Sequence, residues 1–204
     1  HDVAIQGLPV VMCLDRGGLV GEDGVTHHGV FDMAAFAAVP GLTIMAPMNE
    51  PELRNAMYTA LQSGGPFMIR YPRGHGEGLP WRGVPFEALP VGRGRRLRDG
   101  DDVALVSVGT VGNAAARAAE RAAAEGVSAA HYDLRWVKPL DEELLDEVGR
   151  RFRRVITVED GSLRGGVGEA VAAYFNARGY GAHVTSLGIG DAWVEHGTPA
   201  QLYA

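Results

Sequence analysis

The feature that most constrains the fold of this chain is a repeated alternation of short apolar runs with helix-like stretches. Short apolar runs between turn signals are typical of strands buried on both faces. The predicted strands are at 8–14, 42–46, 67–70, 129–134, 155–159 and 183–187. The predicted helices are at 32–38, 50–63, 112–125, 141–151 and 168–178, and residues 1–6 end an earlier helix. Strands that alternate with helices form largely parallel sheets, so the sequence predicts an α/β protein.

Glycine and proline divide the chain into two predicted domains. They recur every few residues between 74 and 90 with little periodicity, which is typical of a linker. We therefore expect a first domain at 1–74, a linker at 75–90 and a doubly wound α/β domain at 91–204. The first domain supplies only about three strands, too few for a covered parallel sheet, so we expect the chain to be part of a longer protein.

Local patterns predict a hairpin and several buried side chains. Residues 91–98 and the apolar stretch at 103–107 flank an Asp-Gly-Asp-Asp cluster, which predicts a β-hairpin. Cys13 lies in the strand at 8–14, and burial is the expected role of this single cysteine. The apolar side chains expected to pack inward from the first two helices are Phe31, Met33, Phe36, Leu53, Ala56, Met57, Ala60 and Leu61.

Charge and composition narrow the classes of function. The net charge is −6, from 25 acidic and 19 basic residues, and no basic block is present that could neutralise a run of phosphates, so nucleic-acid binding is not expected. No apolar run is long enough to span a bilayer and no signal peptide is apparent, so a cytoplasmic protein is the default expectation. His75, His131 and His196 show no metal-ligand spacing, and no metal site is expected.

A glycine-rich loop at 15–29 is the strongest functional signal. It directly follows the apolar strand at 8–14 and combines five glycines with acids, an arginine and two histidines. Loops at the carboxyl ends of buried strands are where α/β folds place their binding and catalytic residues. Read on composition alone, the same loop could equally be a solvated surface connection.

Four motifs in this order resemble the 1-deoxy-D-xylulose 5-phosphate synthases, a thiamine-diphosphate-dependent family of the transketolase superfamily. The first is the loop itself, Asp-Arg-Gly-Gly-Leu-Val-Gly-x-Asp-Gly-x-Thr-His-x-Gly at 15–29. The others are Arg-Tyr-Pro-Arg-Gly at 70–74, Val-Lys-Pro-Leu-Asp at 137–141, and Val-Glu-Asp at 158–160 followed by Gly-Gly-x-Gly at 165–168. Transketolases proper resemble the loop but carry prolines around the Thr-His pair, where Val25 and Gly29 stand here.

The resemblance implies a fold and an activity. Residues 1–74 would be the carboxy-terminal half of a pyrimidine-binding domain, and residues 91–204 a transketolase C-terminal-like domain. The family condenses pyruvate, with decarboxylation, and glyceraldehyde 3-phosphate to 1-deoxy-D-xylulose 5-phosphate. This transferase reaction opens the non-mevalonate route to isoprenoids and feeds thiamine and pyridoxal biosynthesis. Thiamine diphosphate and Mg²⁺ are its cofactors, and the enzyme is a homodimer.

The resemblance also implies that this chain holds only part of the active site. The ligands of both cofactors are expected upstream of His1, so no cofactor-binding residue is predicted here and the chain needs the N-terminal part of the same protein. Arg16 and Arg73 would bind the acceptor phosphate, since guanidinium groups bond two phosphate oxygens at once. The alternative is an ion pair with Asp15 for Arg16 and a solvated linker position for Arg73.

Two further loop residues acquire candidate catalytic roles from the resemblance. His27 would handle protons near the reacting carbonyl, because imidazole titrates near neutral pH. Asp23 would orient His27 or bind a substrate hydroxyl, with an Asx-turn as the alternative. His28 stands where the family is expected to have glutamine, and its role stays open.

Other interpretations remain open at this point. A transketolase or a thiamine-dependent dehydrogenase subunit of the E1 type shares the two-domain layout, and the second domain alone could serve as a dimerisation module. The glycine clusters at 109–112 and 161–168 lack complete nucleotide-binding fingerprints, which favours tight helix starts over phosphate binding. Glu159 and Asp160 are interpreted as residues of a helix start and an interface.

Overall fold

The computed structural model describes residues 1–203; residue 204, the last of the predicted second domain, lies outside them. Within this range nine strands form two sheets. The strands are β1 Val11–Leu14, β2 Thr43–Met45, β3 Phe67–Arg70, β4 Arg95–Arg98, β5 Val103–Ser107, β6 Ala129–Asp133, β7 Trp136–Lys138, β8 Arg154–Ser162 and β9 His183–Ile189. The α-helices are α1 Asp2–Ile5, α2 Asp32–Ala37, α3 Glu50–Gln62, α4 Val111–Ala124, α5 Glu142–Arg151, α6 Val167–Arg178 and α7 Pro199–Leu202.

The first sheet has the order β1-β3-β2-β7. Strands β1 and β2 both run parallel to β3, in a register that places Met12 and Ile44 opposite Met68. Helix α3 packs on this sheet, and its start is capped by Asn49, whose Oδ1 accepts a hydrogen bond from the Glu52 amide at 3.1 Å. The parallel arrangement brings the carboxyl ends of β1 and β3 to one edge.

The second sheet has the order β4-β6-β5-β8-β9, with β5, β6, β8 and β9 parallel. The predicted α/β class, with a parallel sheet in each half, is therefore confirmed. The predicted hairpin is wrong, because β4 pairs antiparallel with β6 and not with β5. The turn between β4 and β5 is bonded to the start of β6 instead, because the amides of Asp101 and Asp102 donate to the carbonyl of Ser128.

Strand β7 was not predicted, and it links the two halves of the chain. It follows β6 after two residues, and Arg135 between them has φ 59°, a left-handed turn that redirects the backbone. The strand then pairs antiparallel with β2 of the first sheet. Trp136 is fully buried there and packs edge-on against Phe67, with ring centroids 5.7 Å apart. The sequence after residue 129 therefore contributes to both sheets.

The predicted burial is right for part of each helix face. Met33 of α2 and Ala56 and Ala60 of α3 are buried as expected. The prediction that Phe31 and Phe36 are buried is wrong, since about half of Phe31 and over a third of Phe36 is exposed. Phe31 instead contacts the Trp193 ring, at 5.9 Å between centroids.

The face of α3 is rotated relative to the prediction. Leu61 and Met57 are exposed, whereas the polar Glu52 and Thr59 are buried. The rotation has a physical reason, because Thr59 Oγ1 accepts a hydrogen bond from the Leu89 amide at 2.8 Å, which turns that side of the helix towards the connection at 75–90. Cys13 is also exposed, contrary to the prediction, and its sulfur lies 3.7 Å from that of Met57.

None of the helices described within 1–203 combines the length and apolar character that crossing a bilayer requires.

Candidate active site

The candidate site lies at the carboxyl ends of β1 and β3, which are parallel neighbours. Each strand continues into one of the predicted functional loops, at 15–29 and 71–74. The Tyr71 amide donates to the carbonyl of Leu14 at 3.0 Å, and the Gly17 amide donates to the carbonyl of Tyr71 at 2.9 Å. These bonds extend the strand pairing beyond the sheet and bring the two loops together, as expected at such an edge.

A narrow neck closes the long loop. The amides of Gly18 and Gly29 each donate to the other's carbonyl at 2.9 Å, and the Gly29 amide also lies 3.1 Å from the Arg16 carbonyl. A Cβ on Gly29 would overlap that carbonyl, so only glycine permits this approach. The 15–29 loop is therefore a closed unit whose two ends are held by backbone contacts.

Arg16, Asp23 and Arg73 come together across the two loops. Arg73 Nη1 donates to Asp23 Oδ2, and Arg16 Nε lies 3.6 Å from the same oxygen. The hydrogen bond from Arg73 holds the pKa of the Asp23 carboxyl below its ordinary value, and the nearby charges of His27 and Arg16 act in the same direction. Asp23 is therefore an anion held between two cations.

This arrangement can bind a small dianion. Because one carboxylate oxygen lies within 4 Å of both guanidinium groups, a phosphate at the same place could contact both. The alternative partner of Arg16 is also present, since its Nη1 donates to Asp15 Oδ2 at 2.7 Å. About half of the Arg73 side chain and two fifths of the Arg16 side chain are exposed, so both are accessible from solvent.

His27 is at the exposed tip of the 15–29 loop. Its amide donates to the Gly24 carbonyl at 3.0 Å, which closes a turn, and its Nδ1 lies 3.0 Å from Thr26 Oγ1. Within residues 1–203 no hydrogen bond joins His27 to Asp23, whose carboxylate is held by the arginines. An accessible imidazole with Nε2 uncommitted is able to donate or accept a proton.

The neighbouring His28 has a different environment. It is buried, and its Nδ1 accepts a hydrogen bond from the Val20 amide at 3.1 Å. The neutral ring therefore carries its hydrogen on Nε2. Nε2 is itself buried and has no hydrogen-bond partner among the described residues. His28 thus shapes the interior of the loop by fixing the backbone at Val20.

Four residues that support the site were not predicted in that role. Arg70, at the end of β3, is buried and donates through Nε to Asp32 Oδ2 at 2.9 Å and through Nη1 to Asp160. Its Nη2 donates to the Gly29 carbonyl at 3.0 Å. Tyr203 approaches the loop from the other end of the chain and accepts a hydrogen bond from the Leu19 amide at 3.1 Å. Arg70 therefore anchors the neck of the loop at Gly29, and Tyr203 contacts the loop at Leu19, next to the neck residue Gly18.

A charge at the end of an apolar strand is the signal that identifies such residues. Arg70 follows Phe67, Met68 and Ile69, all fully buried, and Asp160 stands similarly in β8. Burial alone would lower the pKa of Arg70, but the charges of Asp160 and Asp32 raise it instead. The guanidinium therefore stays charged in the interior, where its carboxylate partners compensate for its lost hydration.

The two glycine clusters of the second half lie at the starts of helices α4 and α6, and at α6 a carboxylate already binds the free backbone amides. Glu159 accepts hydrogen bonds from the amides of Val167 at 3.0 Å and Gly168 at 2.8 Å, at the first turn of α6. Burial raises the pKa of Glu159, and these two bonds oppose the shift. The interpretation of Glu159 as a residue of a helix start agrees with these contacts, whereas the interface role expected for Glu159 and Asp160 stays a prediction. At the other cluster, Gly112 packs closely against Ser107 and Met48.

Within residues 1–203 no group of three or more histidine, cysteine, aspartate or glutamate side chains is placed to hold a metal ion.

The chain matches two described protein families. Residues 1–77 match the transketolase pyrimidine binding domain, and residues 92–204 match the transketolase C-terminal domain. The chain is also similar to a solved structure described as a split gene transketolase, inactive beta4 tetramer, with a TM-score of 0.80 and 31% identity over 93% of this chain and 60% of that one.

Curated relatives show higher identity. Proteins named 1-deoxy-D-xylulose-5-phosphate synthase are 58% identical in Bacteroides thetaiotaomicron and 52% identical in Cytophaga hutchinsonii, in each case over the whole of this chain. A protein of the same name from Carboxydothermus hydrogenoformans is 48% identical over 99% of the chain. The chain spans about a third of the length of these relatives, 32% in each case.

Proposed function

The chain belongs to the transketolase family, whose pyrimidine-binding and C-terminal domains it matches, and from this premise we propose that it forms the carboxy-terminal part of a 1-deoxy-D-xylulose 5-phosphate synthase. The enzyme joins pyruvate, with loss of carbon dioxide, to glyceraldehyde 3-phosphate. The relatives of that name, similar over this whole chain, support the choice among the activities of the family. The product would feed the biosynthesis of isoprenoids, thiamine and pyridoxal.

The observation that carries the proposal is the convergence of Arg16 and Arg73 on one oxygen of Asp23. These arginines follow the ends of adjacent parallel strands, and we propose that their exposed guanidinium groups hold the phosphate of the aldehyde acceptor. A phosphate carries more charge than a carboxylate and offers more oxygens, so it can displace Asp23 from one or both arginines.

The remaining loop residues take positioning and proton-transfer roles. His27, exposed on the same loop as Arg16 and Asp23, donates a proton to the acceptor carbonyl oxygen as that oxygen becomes a hydroxyl. Asp23, once displaced by phosphate, is free to hydrogen-bond a substrate hydroxyl or His27. His28 and Arg70 keep the loop in shape from its buried side.

The cofactors are assigned outside these residues. When bound, thiamine diphosphate supplies the electron sink that decarboxylation of a 2-oxo acid requires. The donor set described in residues 1–203 contains no carboxylate cluster suited to Mg²⁺. We propose that an amino-terminal portion of the same protein holds thiamine diphosphate and Mg²⁺ and completes the active site, which the greater length of the relatives supports. We further propose that the complete enzyme is a cytoplasmic homodimer.

An NMR product assay tests the proposal. The protein at its natural length is incubated with thiamine diphosphate, Mg²⁺, methyl-labelled pyruvate and glyceraldehyde 3-phosphate. We expect a deoxypentulose phosphate that carries the labelled methyl group. If pyruvate is untouched while a hydroxylated ketose phosphate serves as donor, the protein is a transketolase. If pyruvate is consumed without consumption of glyceraldehyde 3-phosphate and without a sugar phosphate product, a dehydrogenase subunit is indicated.

A further inference from the structure

Residues 193–203, which we name the carboxy-terminal clasp, run along the loop at 15–29. The Gly197 amide donates to the Gly21 carbonyl at 3.4 Å, and His196 lies next to Gly24. A Cβ on Gly21 would lie 2.8 Å from Pro199 Cδ, and Gly21 has φ 78°, so glycine is required at this contact. The clasp thus packs against the backbone of the loop itself.

The Tyr203 hydroxyl makes the contact closest to the neck of the loop. Its oxygen accepts the hydrogen bond from the Leu19 amide, and Asp160 Oδ2 and the Tyr203 hydroxyl both lie against Gly18. Burial raises the pKa of this hydroxyl to about 12, and the Asp160 charge adds to the shift. The phenol is therefore uncharged at neutral pH, which suits a position close to the Asp160 carboxylate.

Asp160 connects this contact to the anchor of the loop. The same carboxylate accepts from Arg70 Nη1, and Arg70 Nη2 donates to the Gly29 carbonyl. Leu19 and Gly29 are thus held by two neighbouring groups, the Tyr203 hydroxyl and the Arg70–Asp160 pair. The residues between Leu19 and Gly29 include Asp23 and His27, so the network fixes both ends of the segment that holds the proposed catalytic groups.

The clasp has its own local order. Helix α7 begins with a capping box, in which the Thr198 side chain accepts from the Gln201 amide at 3.3 Å and the Gln201 side chain accepts from the Thr198 amide at 2.9 Å. These reciprocal bonds stabilise a helix of only four residues. Tyr203 follows directly and is oriented by that turn.

We propose that the carboxy-terminal clasp positions the acceptor-binding loop, and that the Tyr203 hydroxyl is its key positioning group. The second half of the chain then contributes to binding of the phosphorylated aldehyde without touching it. This inference rests on the proposed function for its substrate. Its structural part, the ordering of the loop by Tyr203, is independent of the reaction catalysed.

The test uses Tyr203→Phe in the protein at its natural length. The variant keeps the ring and removes the acceptor for Leu19, so hydrogen–deuterium exchange of the 15–29 loop should accelerate by about five-fold, the equivalent of one lost hydrogen bond. Exchange in β5 should be unchanged. In steady-state kinetics, the KM for glyceraldehyde 3-phosphate should rise by about three- to ten-fold, while the KM for pyruvate stays within about two-fold.

Two further variants make the result specific. Tyr180→Phe, which removes a hydroxyl bonded to Asp146 at 2.8 Å, is the matched control and should leave loop exchange and both KM values unchanged. Thr198→Ala breaks the capping box without removing a contact to the loop. Like Tyr203→Phe, it should accelerate hydrogen–deuterium exchange of the 15–29 loop. The double variant Tyr203→Phe with Thr198→Ala should add little to the larger single effect, because both act through one contact.

The two proposals fail in distinguishable ways. If loop exchange is unchanged in Tyr203→Phe, the proposal that the clasp orders the loop is wrong, whatever the enzyme's substrates are. Faster loop exchange with an unchanged KM for the aldehyde would overturn its role in acceptor binding. If the unaltered protein makes no deoxypentulose phosphate, the proposed function fails, and the exchange experiment still decides whether Tyr203 orders the loop.

Discussion

Asp23 has an unusual position for a residue of a proposed substrate site, because its carboxylate already pairs with the guanidinium groups of both arginines. An arginine pair without a counter-ion would repel itself and move, whereas Asp23 holds Arg16 and Arg73 close together before any substrate arrives. The cost of exchanging a carboxylate for a phosphate is modest, since both anions accept the same kind of bond. Asp23 therefore preorganises the proposed phosphate site.

Replacement of Arg73 should separate phosphate binding from the rest of the reaction. We expect Arg73→Lys to raise the KM for glyceraldehyde 3-phosphate by about ten-fold or more, because lysine cannot form the paired bonds of a guanidinium group. Steady-state kinetics with unphosphorylated glyceraldehyde provides the substrate control, and its KM should hardly change. Arg98→Lys, an exposed position on β4, is the control variant. An equal rise for both aldehydes would contradict a phosphate-binding role.

His131 is a buried histidine outside the site, and it should make stability depend on pH. Its Nε2 lies 2.8 Å from Ser107 Oγ, while burial, with the Arg95 charge, lowers its pKa to about 4. The unfolded chain binds a proton near its ordinary pKa of 6.5, but the folded state does not. Stability contributed by the neutral ring is therefore present above 6.5 and lost as the pH falls towards 4.

Urea unfolding measures this effect. Between about pH 7 and about pH 5 the free energy of unfolding should fall by about 2 kcal/mol through His131 alone. In His131→Gln, which has no titrating ring, that part of the pH dependence should disappear, although the variant is less stable at neutral pH. The same pH slope in both proteins would show that other groups are responsible.

The residues of the candidate site were accessible to sequence reasoning, but their contacts were not. Arg16, Asp23 and Arg73 are brought together as a motif-based prediction requires, while their roles in binding and catalysis stay predictions. Arg70 and Asp160 are ninety residues apart in sequence, and nothing in the local pattern of either indicates the other. Such a pair depends on how two sheets meet, which periodicity does not describe.

At the level of elements, periodic segments were predicted well and short ones were not. The helices at 111–124, 142–151 and 167–178 lie within a few residues of their predicted limits. Strand β7 has only three residues and no alternation of its own. The false hairpin arose because a turn-rich cluster does not specify which strand the next one pairs with; here β5 crosses to the far side of β6.

Asp141 illustrates how one side chain fixes two elements. It is buried, accepts the Leu144 amide at 3.0 Å as the cap of α5, and accepts the Gly94 amide at 2.8 Å just before β4. Asp141→Ala should lower the free energy of unfolding by about 2 kcal/mol, because it loses a cap and leaves a second donor unpaired. Asp141→Asn keeps one acceptor and should lose about half as much in urea unfolding. Equal losses would mean that charge, not hydrogen bonding, is decisive.

At the scale of the whole molecule, Arg70 and Asp160 form a buried ion pair between the two sheets. Arg70→Met should reduce the free energy of unfolding by about 3–5 kcal/mol, because it leaves Asp160 and Asp32 buried without their counter-ion. Arg70→Met combined with Asp160→Asn should recover part of this loss, since one uncompensated charge is removed. Chemical denaturation of both variants, with Arg98→Met as the exposed control, measures the difference. A loss of less than about 1 kcal/mol in Arg70→Met would contradict the role of a compensated buried pair.

The pairing of β7 with the first sheet has a consequence for the design of chimeric proteins from two relatives. A crossover placed in the connection at 75–90 would take β2 and Glu52 from one parent and β7 and Arg135 from the other. The backbone pairs of Ile44 with Lys138 and of Met45 with Trp136 would then join residues of different ancestry, as would the Glu52–Arg135 ion pair at 2.8 Å. Recombination at the apparent sequence boundary should therefore succeed only between parents whose side chains match along this seam.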